Sequence, residues 1–132
     1  PDAEFKVVEG FDTKKYCGFK FSSLIVECKN YKKPSYKDIM QLFTYTLSWT
    51  DSEISENPLC LLISRENPKD DSVAWKIRKS IFNKPMGSET RLILFLDTDD
   101  LQKMIGYREN GRPANIFKEK IQELKQYIIK HL

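Results

Sequence analysis

Glu27 and Lys29 stand two residues apart in Leu24-Ile25-Val26-Glu27-Cys28-Lys29-Asn30-Tyr31-Lys32-Lys33-Pro34. Side chains alternate across a strand, so the carboxylate and the ammonium share one face while Val26 and Cys28 take the other. A pair delivered in this way could bind a metal ion and assist attack on a phosphate. It could equally be an ordinary ion pair on a sheet face. The residues that follow are basic and aromatic: Tyr31 and Tyr36 interleave with Lys32, Lys33 and Lys37. Lysine-rich loops are commonly plain solvated surface, but this mixture suits phosphate contacts and base stacking better than an unbroken charge run does.

Several elements must position the pair. Residues from Glu4 to Tyr16 carry Phe5, Val7, Val8, Phe11 and Tyr16 around Gly10, and read as two short strands or one bent strand. Cys17 to Ser23 makes a turn, so the strand Leu24 to Lys29 completes an antiparallel meander. Ser35 is the expected N-cap of a helix running to about Trp49, with Asp38 three residues on forming a weaker capping box. At 3.6 residues per turn Tyr36, Ile39, Met40, Phe43, Thr46 and Leu47 fall on its apolar side, and Lys37, Gln41, Thr44, Tyr45 and Ser48 on its polar side.

Beyond an acidic loop, Leu59 to Ser64 is a continuous apolar run of the kind that forms a strand covered on both faces. Asp71 to about Phe82 reads as a helix with Val73, Ala74, Ile77 and Ile81 inward. Arg91 to Leu96 is a second buried strand. Asp97 to Asp100 then opens a short helix ending near Gly106, and a last helix carries Phe117, Ile121, Leu124 and Ile128 in one stripe. This order implies an α/β domain in which an antiparallel meander gains parallel strands through crossovers, flanked by helices and closed by a C-terminal helix.

At 132 residues, 40% hydrophobic and 31% charged, the chain fits one ordinary globular domain. No apolar run approaches the roughly 20 residues that span a bilayer. Three unclustered cysteines, Cys17, Cys28 and Cys60, are an odd number and are expected as reduced thiols of a cytoplasmic protein. With His131 as the only histidine, no zinc-ligand spacing exists. The net charge of +3 is mild, but between Thr13 and Lys37 seven lysines face a single acid, Glu27. The basic segment and the candidate pair coincide. Because the chain opens on Pro1 it is expected to be part of a longer protein with a further domain upstream.

The Leu24 to Pro34 stretch resembles the central strand of the Mrr-like branch of the PD-(D/E)xK nuclease superfamily, over a region extending from about Glu4 to Leu96. The resemblance implies a restriction endonuclease-like fold and a metal-dependent DNA endonuclease of restriction or defence type. It further implies Asp12, on the preceding strand, as the second acid, with Glu27 and the Cys28 carbonyl completing the ligands of Mg²⁺ or Mn²⁺. Asp2 and Glu9 are weaker candidates, Asp2 because it lies at a chain end. Lys29 would orient water or stabilise developing charge. Gln41 and Tyr45 are similar in spacing to a motif of RecB-like members, with Gln41 helping to position the water. Tyr31, Lys32, Lys33, Tyr36, Lys37 and Tyr45 would contact DNA, and a homodimer would suit cleavage of both strands. The family's leading helix has no counterpart ahead of Glu4.

That gap supports an alternative, a catalytically silent nuclease-fold module that binds DNA or a protein. A third reading, a purely structural ion pair, is favoured if Asp12 lies far from Glu27. The run Leu92 to Asp99 resembles the Asp-x-Asp opening of haloacid dehalogenase-type phosphotransferases, yet it sits late in the chain, where a helix-capping acidic turn explains it better.

Overall fold

The computed structural model describes residues 2–7, 9–17, 20–30, 34–47, 58–68, 72–73, 75–76, 92–109 and 112–130. Its elements are β1 (Ala3–Lys6), α1 (Thr13–Cys17), β2 (Ser23–Cys28), α2 (Tyr36–Leu47), β3 (Leu59–Ile63), β4 (Leu92–Leu96), α3 (Thr98–Glu109) and α4 (Asn115–Lys130). The four strands form one mixed sheet in the order β1-β2-β3-β4. The β1–β2 pair is antiparallel, with Ala3 opposite Val26 and Lys6 opposite Ser23. β2, β3 and β4 are mutually parallel, with Glu27 beside Leu62 and Leu62 beside Phe95. The α/β class, the mixed sheet and the C-terminal helix therefore agree with the sequence reading.

The apolar runs of β3 and β4 are strands because both faces are covered. Leu59, Cys60 and Leu62 are fully buried, as are Leu92, Ile93 and Leu94. Each such Leu or Ile stabilises the fold by about 1.5–3 kcal/mol relative to exposure. Trp75 covers part of β4: its ring meets Phe95 edge-on at 5.9 Å and Tyr127 of α4 at 4.8 Å. From α4, Ile116, Phe117, Ile121, Leu124 and Tyr127 enter the same core. The expected stripe is widened by Ile116 and Tyr127; the Ile128 side chain lies outside the described residues.

Three local expectations change. Where a second strand of the meander was expected, Thr13–Cys17 is a short helix. Asp12 caps it, accepting the Lys15 N–H through Oδ1 at 3.0 Å, and Lys14 and Lys15 complement its C-terminal end. Five residues are too few to show helical periodicity in a sequence, so only the cap could have announced it. The inward face of α2 also rotates: Ile39 and Leu42 are buried whereas Tyr36 is 54% exposed. Of the helix expected over 71–82, Val73 is exposed where it was expected inward and Trp75, which was given no face, is buried, while Ala74, Ile77 and Ile81 lie outside the described residues. Among the described residues no helix is long and apolar enough to cross a membrane.

Candidate functional site

β2 ends with its neighbours' ladders still intact. The Lys29 N–H donates to Ile63 O at 2.8 Å, and one strand further on Ser64 N–H donates to Leu96 O at 3.0 Å. The carboxyl ends of all three parallel strands thus lie along one edge, the usual place for a ligand crevice in open α/β sheets. At that edge Lys29 Nζ is 3.3 Å from Glu27 Oε1 and 4.0 Å from Asp38 Oδ1. The side chains of Glu27 and Lys29 remain about one-fifth exposed. They are sheltered enough to strengthen their attraction, yet open to a ligand.

Asp38 is buried and does a second job. Its Oδ2 accepts the Ser35 backbone N–H at 2.8 Å and the Ser35 hydroxyl at 3.0 Å. This is the acid's half of the capping box expected from Ser35 and Asp38. The start of α2 is thereby locked to the carboxylate that touches Lys29. On the other flank, Arg65, just past β3, donates from Nε to Asn30 Oδ1 at 3.3 Å and from an Nη to the same oxygen at 3.0 Å. That fork ties the loop after β3 to the chain after β2.

Sequence reasoning gave Asp2 little weight, yet β1 delivers it here. Its N–H donates to Val26 O at 3.0 Å, and its Oδ2 accepts the Cys28 N–H at 2.6 Å. The carboxylate substitutes for the next main-chain acceptor of the ladder, which holds a residue at the chain's beginning against the end of β2. The electrostatics register its arrival. The exposed Cys28 thiol is raised above its ordinary pKa by desolvation and then by the charges of Asp2 and Glu27. Two carboxylates therefore make the end of β2 electronegative, a field that attracts a cation. The signal available in the sequence was the Pro-Asp pair immediately ahead of a strand.

Asp12 is placed elsewhere. β1 runs antiparallel to β2, so by Val7, whose N–H donates to Ser22 O at 2.9 Å, the chain has reached the opposite end of the pair from Glu27. Asp12 follows there as the cap of α1 and lines a cleft with Arg112. The structure brings Glu27, Lys29, Cys28, Asp2 and Asp38 together and does not bring Asp12 to them, the placement that favours a purely structural Glu27–Lys29 ion pair unless another acid takes the place of Asp12. Tyr36, Lys37 and Gln41 are exposed on the first turns of α2. Tyr31, Lys32 and Lys33, and the side chain of Tyr45, lie outside the described residues.

At the carboxyl end of β4, Asp97 and Asp100 exchange reciprocal bonds: Asp100 N–H donates to Asp97 Oδ1 and Asp97 N–H to Asp100 Oδ2, each at 3.0 Å. This is the helix-capping turn expected of the acidic run, opening α3. Asp100 Oδ2 also accepts from Asn67 Nδ2 at 2.8 Å and pairs with Lys120 Nζ at 3.0 Å. Burial pushes its carboxyl upward, but the bonds from Asn67 and the Asp97 backbone, with Lys120, outweigh burial and hold it below the ordinary value. Oδ2 is thereby committed to joining α3, α4 and the loop after β3.

Among the described residues no group of three or more His, Cys, Asp or Glu side chains is placed to hold a metal ion. The carboxylates of Asp2 and Glu27 lie at the end of β2. Comparison of the chain with models of known families, with curated proteins and with solved structures finds no match.

Proposed function

We propose that the end of β2 is the centre of a metal-dependent nucleic-acid phosphodiesterase, a DNA endonuclease of the restriction endonuclease-like PD-(D/E)xK type, with Asp2 rather than Asp12 as the acid that partners Glu27. The observation that carries this reading is the bond from Cys28 N–H to Asp2 Oδ2. It brings a second carboxylate to the strand end that already carries Glu27 and Lys29.

The donors suit Mg²⁺ or Mn²⁺, which prefer oxygen ligands and are commonly held by one or two carboxylates, with water and phosphate oxygens completing the shell. Asp2 Oδ1 makes no hydrogen bond or ion pair among the described residues, so one oxygen remains for an ion while the other anchors the carboxylate. When bound, such an ion supplies Lewis-acid polarisation of the phosphate and a more acidic water. The chain's own residues do the rest. Glu27 and Asp38 hold the Lys29 ammonium from two sides, and that ammonium faces the position where charge develops on the phosphate in an in-line displacement. Exposed Lys37, Gln41 and Tyr36 on the first turns of α2 supply backbone contacts without reading sequence.

The test is cleavage of supercoiled plasmid and of single-stranded oligonucleotide with Mg²⁺ or Mn²⁺. Asp2→Asn, Glu27→Gln and Lys29→Met each lower the rate by roughly 100-fold or more, the usual cost of removing one charge-stabilising group. Asp12→Asn keeps the cap of α1, because asparagine caps as well as aspartate. Cleavage that falls with Asp12→Asn but not with Asp2→Asn overturns the assignment of Asp2. A wild-type protein that binds DNA without cutting it supports the silent module instead.

A further inference from the structure

A cleft of about 630 Å³ lies away from this centre, between the start of α1 and the turn that opens α4. Small-ligand sites commonly occupy roughly 300–1,000 Å³, so one nucleotide fits comfortably. Its construction begins at Gly10, whose φ of +85° turns the chain between β1 and α1 in a conformation other residues rarely adopt. The turn leaves Phe11 46% exposed. Beneath it Tyr16 stacks with ring centroids 5.2 Å apart and planes 22° from parallel.

Two cations converge on the Tyr16 ring. Lys15 Nζ lies 5.4 Å from its centroid and Arg112 Cζ 5.3 Å from it. Neither has a carboxylate partner among the described residues; the carboxylate in the cleft, Asp12, uses Oδ1 to cap α1. Cation–π contact holds the two charges in place but leaves their net charge uncompensated. The α4 N-terminus does not supply the complementary ligand field, because its first amides are already taken: Asn115 N–H donates to Arg112 O, Ile116 N–H to Pro113 O and Phe117 N–H to Ala114 O. Any anion here is held by the side chains of Lys15 and Arg112.

We infer that this cleft binds a nucleotide, with its phosphate between Lys15 and Arg112 and its base against the exposed ring of Phe11. An aromatic face beside a pair of cations is the combination that single-stranded nucleic acids use, stacking a base while the backbone is neutralised. The site is separate from the phosphodiesterase centre: β1 carries the chain from one end of β2 to the other before the cleft begins. It therefore stands or falls independently of that reading. The same chemistry is offered by a free mononucleotide and by a nucleotide within a single strand, and two ligands distinguish them.

The experiment measures binding of a fluorescein-labelled ten-nucleotide oligodeoxythymidylate by anisotropy and of AMP by calorimetry, both in EDTA so that metal-dependent binding is silent. Phe11→Ala weakens binding by roughly 5-fold or more, the lower end of one aromatic–base stack. Lys15→Gln with Arg112→Gln weakens it further and flattens its dependence on salt by about one to two counterions. AMP binding that competes with the oligonucleotide assigns the site to a free nucleotide; oligonucleotide binding without AMP binding assigns it to a strand. Binding of neither ligand, or affinities that survive both variants in proteins with wild-type circular dichroism, overturns the inference.

Discussion

Asp100→Asn is the sharpest test of how the fold is held at the carboxyl end of the sheet. Asp100 is 5% exposed, and its Oδ2 gathers Asn67 Nδ2, the Asp97 N–H and Lys120 Nζ within 3.0 Å. Asparagine keeps the shape and one acceptor but removes the charge facing Lys120, whose side chain is only 12% exposed. Breaking a buried pair from one side costs about 3–5 kcal/mol. Glu123, 3.8 Å from the same ammonium and 59% exposed, offers Lys120 a partial replacement. We therefore expect a loss of about 2–3 kcal/mol, read as a fall of roughly 1–2 M in the urea midpoint at the slopes usual for small domains.

The pH dependence follows from the same contacts. The folded carboxyl sits below its ordinary value, so protons bind the unfolded chain more readily. The stabilisation is complete above the unfolded Asp pKa of about 3.9 and disappears as pH falls through the lower folded value. Asp100→Asn flattens that part of the acid limb while lowering stability at neutral pH. A loss under about 0.5 kcal/mol, the range of unremarkable surface substitutions, with an unchanged acid limb, refutes the reasoning.

Two further outcomes follow from other contacts. Cys28 is exposed but its thiol pKa is raised by desolvation and by Asp2 and Glu27. Its modification by a disulfide reagent near pH 8 should be slower than that of an unstructured cysteine and should accelerate in Asp2→Asn, while buried Cys17 and Cys60 react only on unfolding. Equal rates in the two proteins would place Asp2 outside the field of the thiol. Trp75 Nε1–H donates to Pro68 O at 2.7 Å from a buried position. Trp75→Phe should cost about 1.5–3 kcal/mol in urea unfolding through the lost bond and the space left against Phe95 and Tyr127, and an unchanged midpoint would refute that.

What the sequence by itself determined were the features written in local chemistry. The apolar runs that became Leu59 to Ile63 and Leu92 to Leu96 are of the kind expected for strands covered on both faces, the spacing of Ile121 and Leu124 suits a helix packed on one side, and Ser35 with Asp38 and Asp97 with Asp100 announced helix starts through side chains that bond amides three residues away. The pairing of Glu27 with Lys29 was legible for the same reason, since alternation along one strand suffices. Tertiary structure alone decided the rest, because it depended on which strand ends meet. An antiparallel β1 returns Asp2 to Cys28 and carries Asp12 to the far end of the sheet, an outcome that the 10 positions separating the two acids do not reveal. The same reversal sets Phe11, Lys15 and Tyr16 against Arg112, about 100 residues away in sequence. Proximity there comes from packing α1 on α4, and no local pattern encodes it.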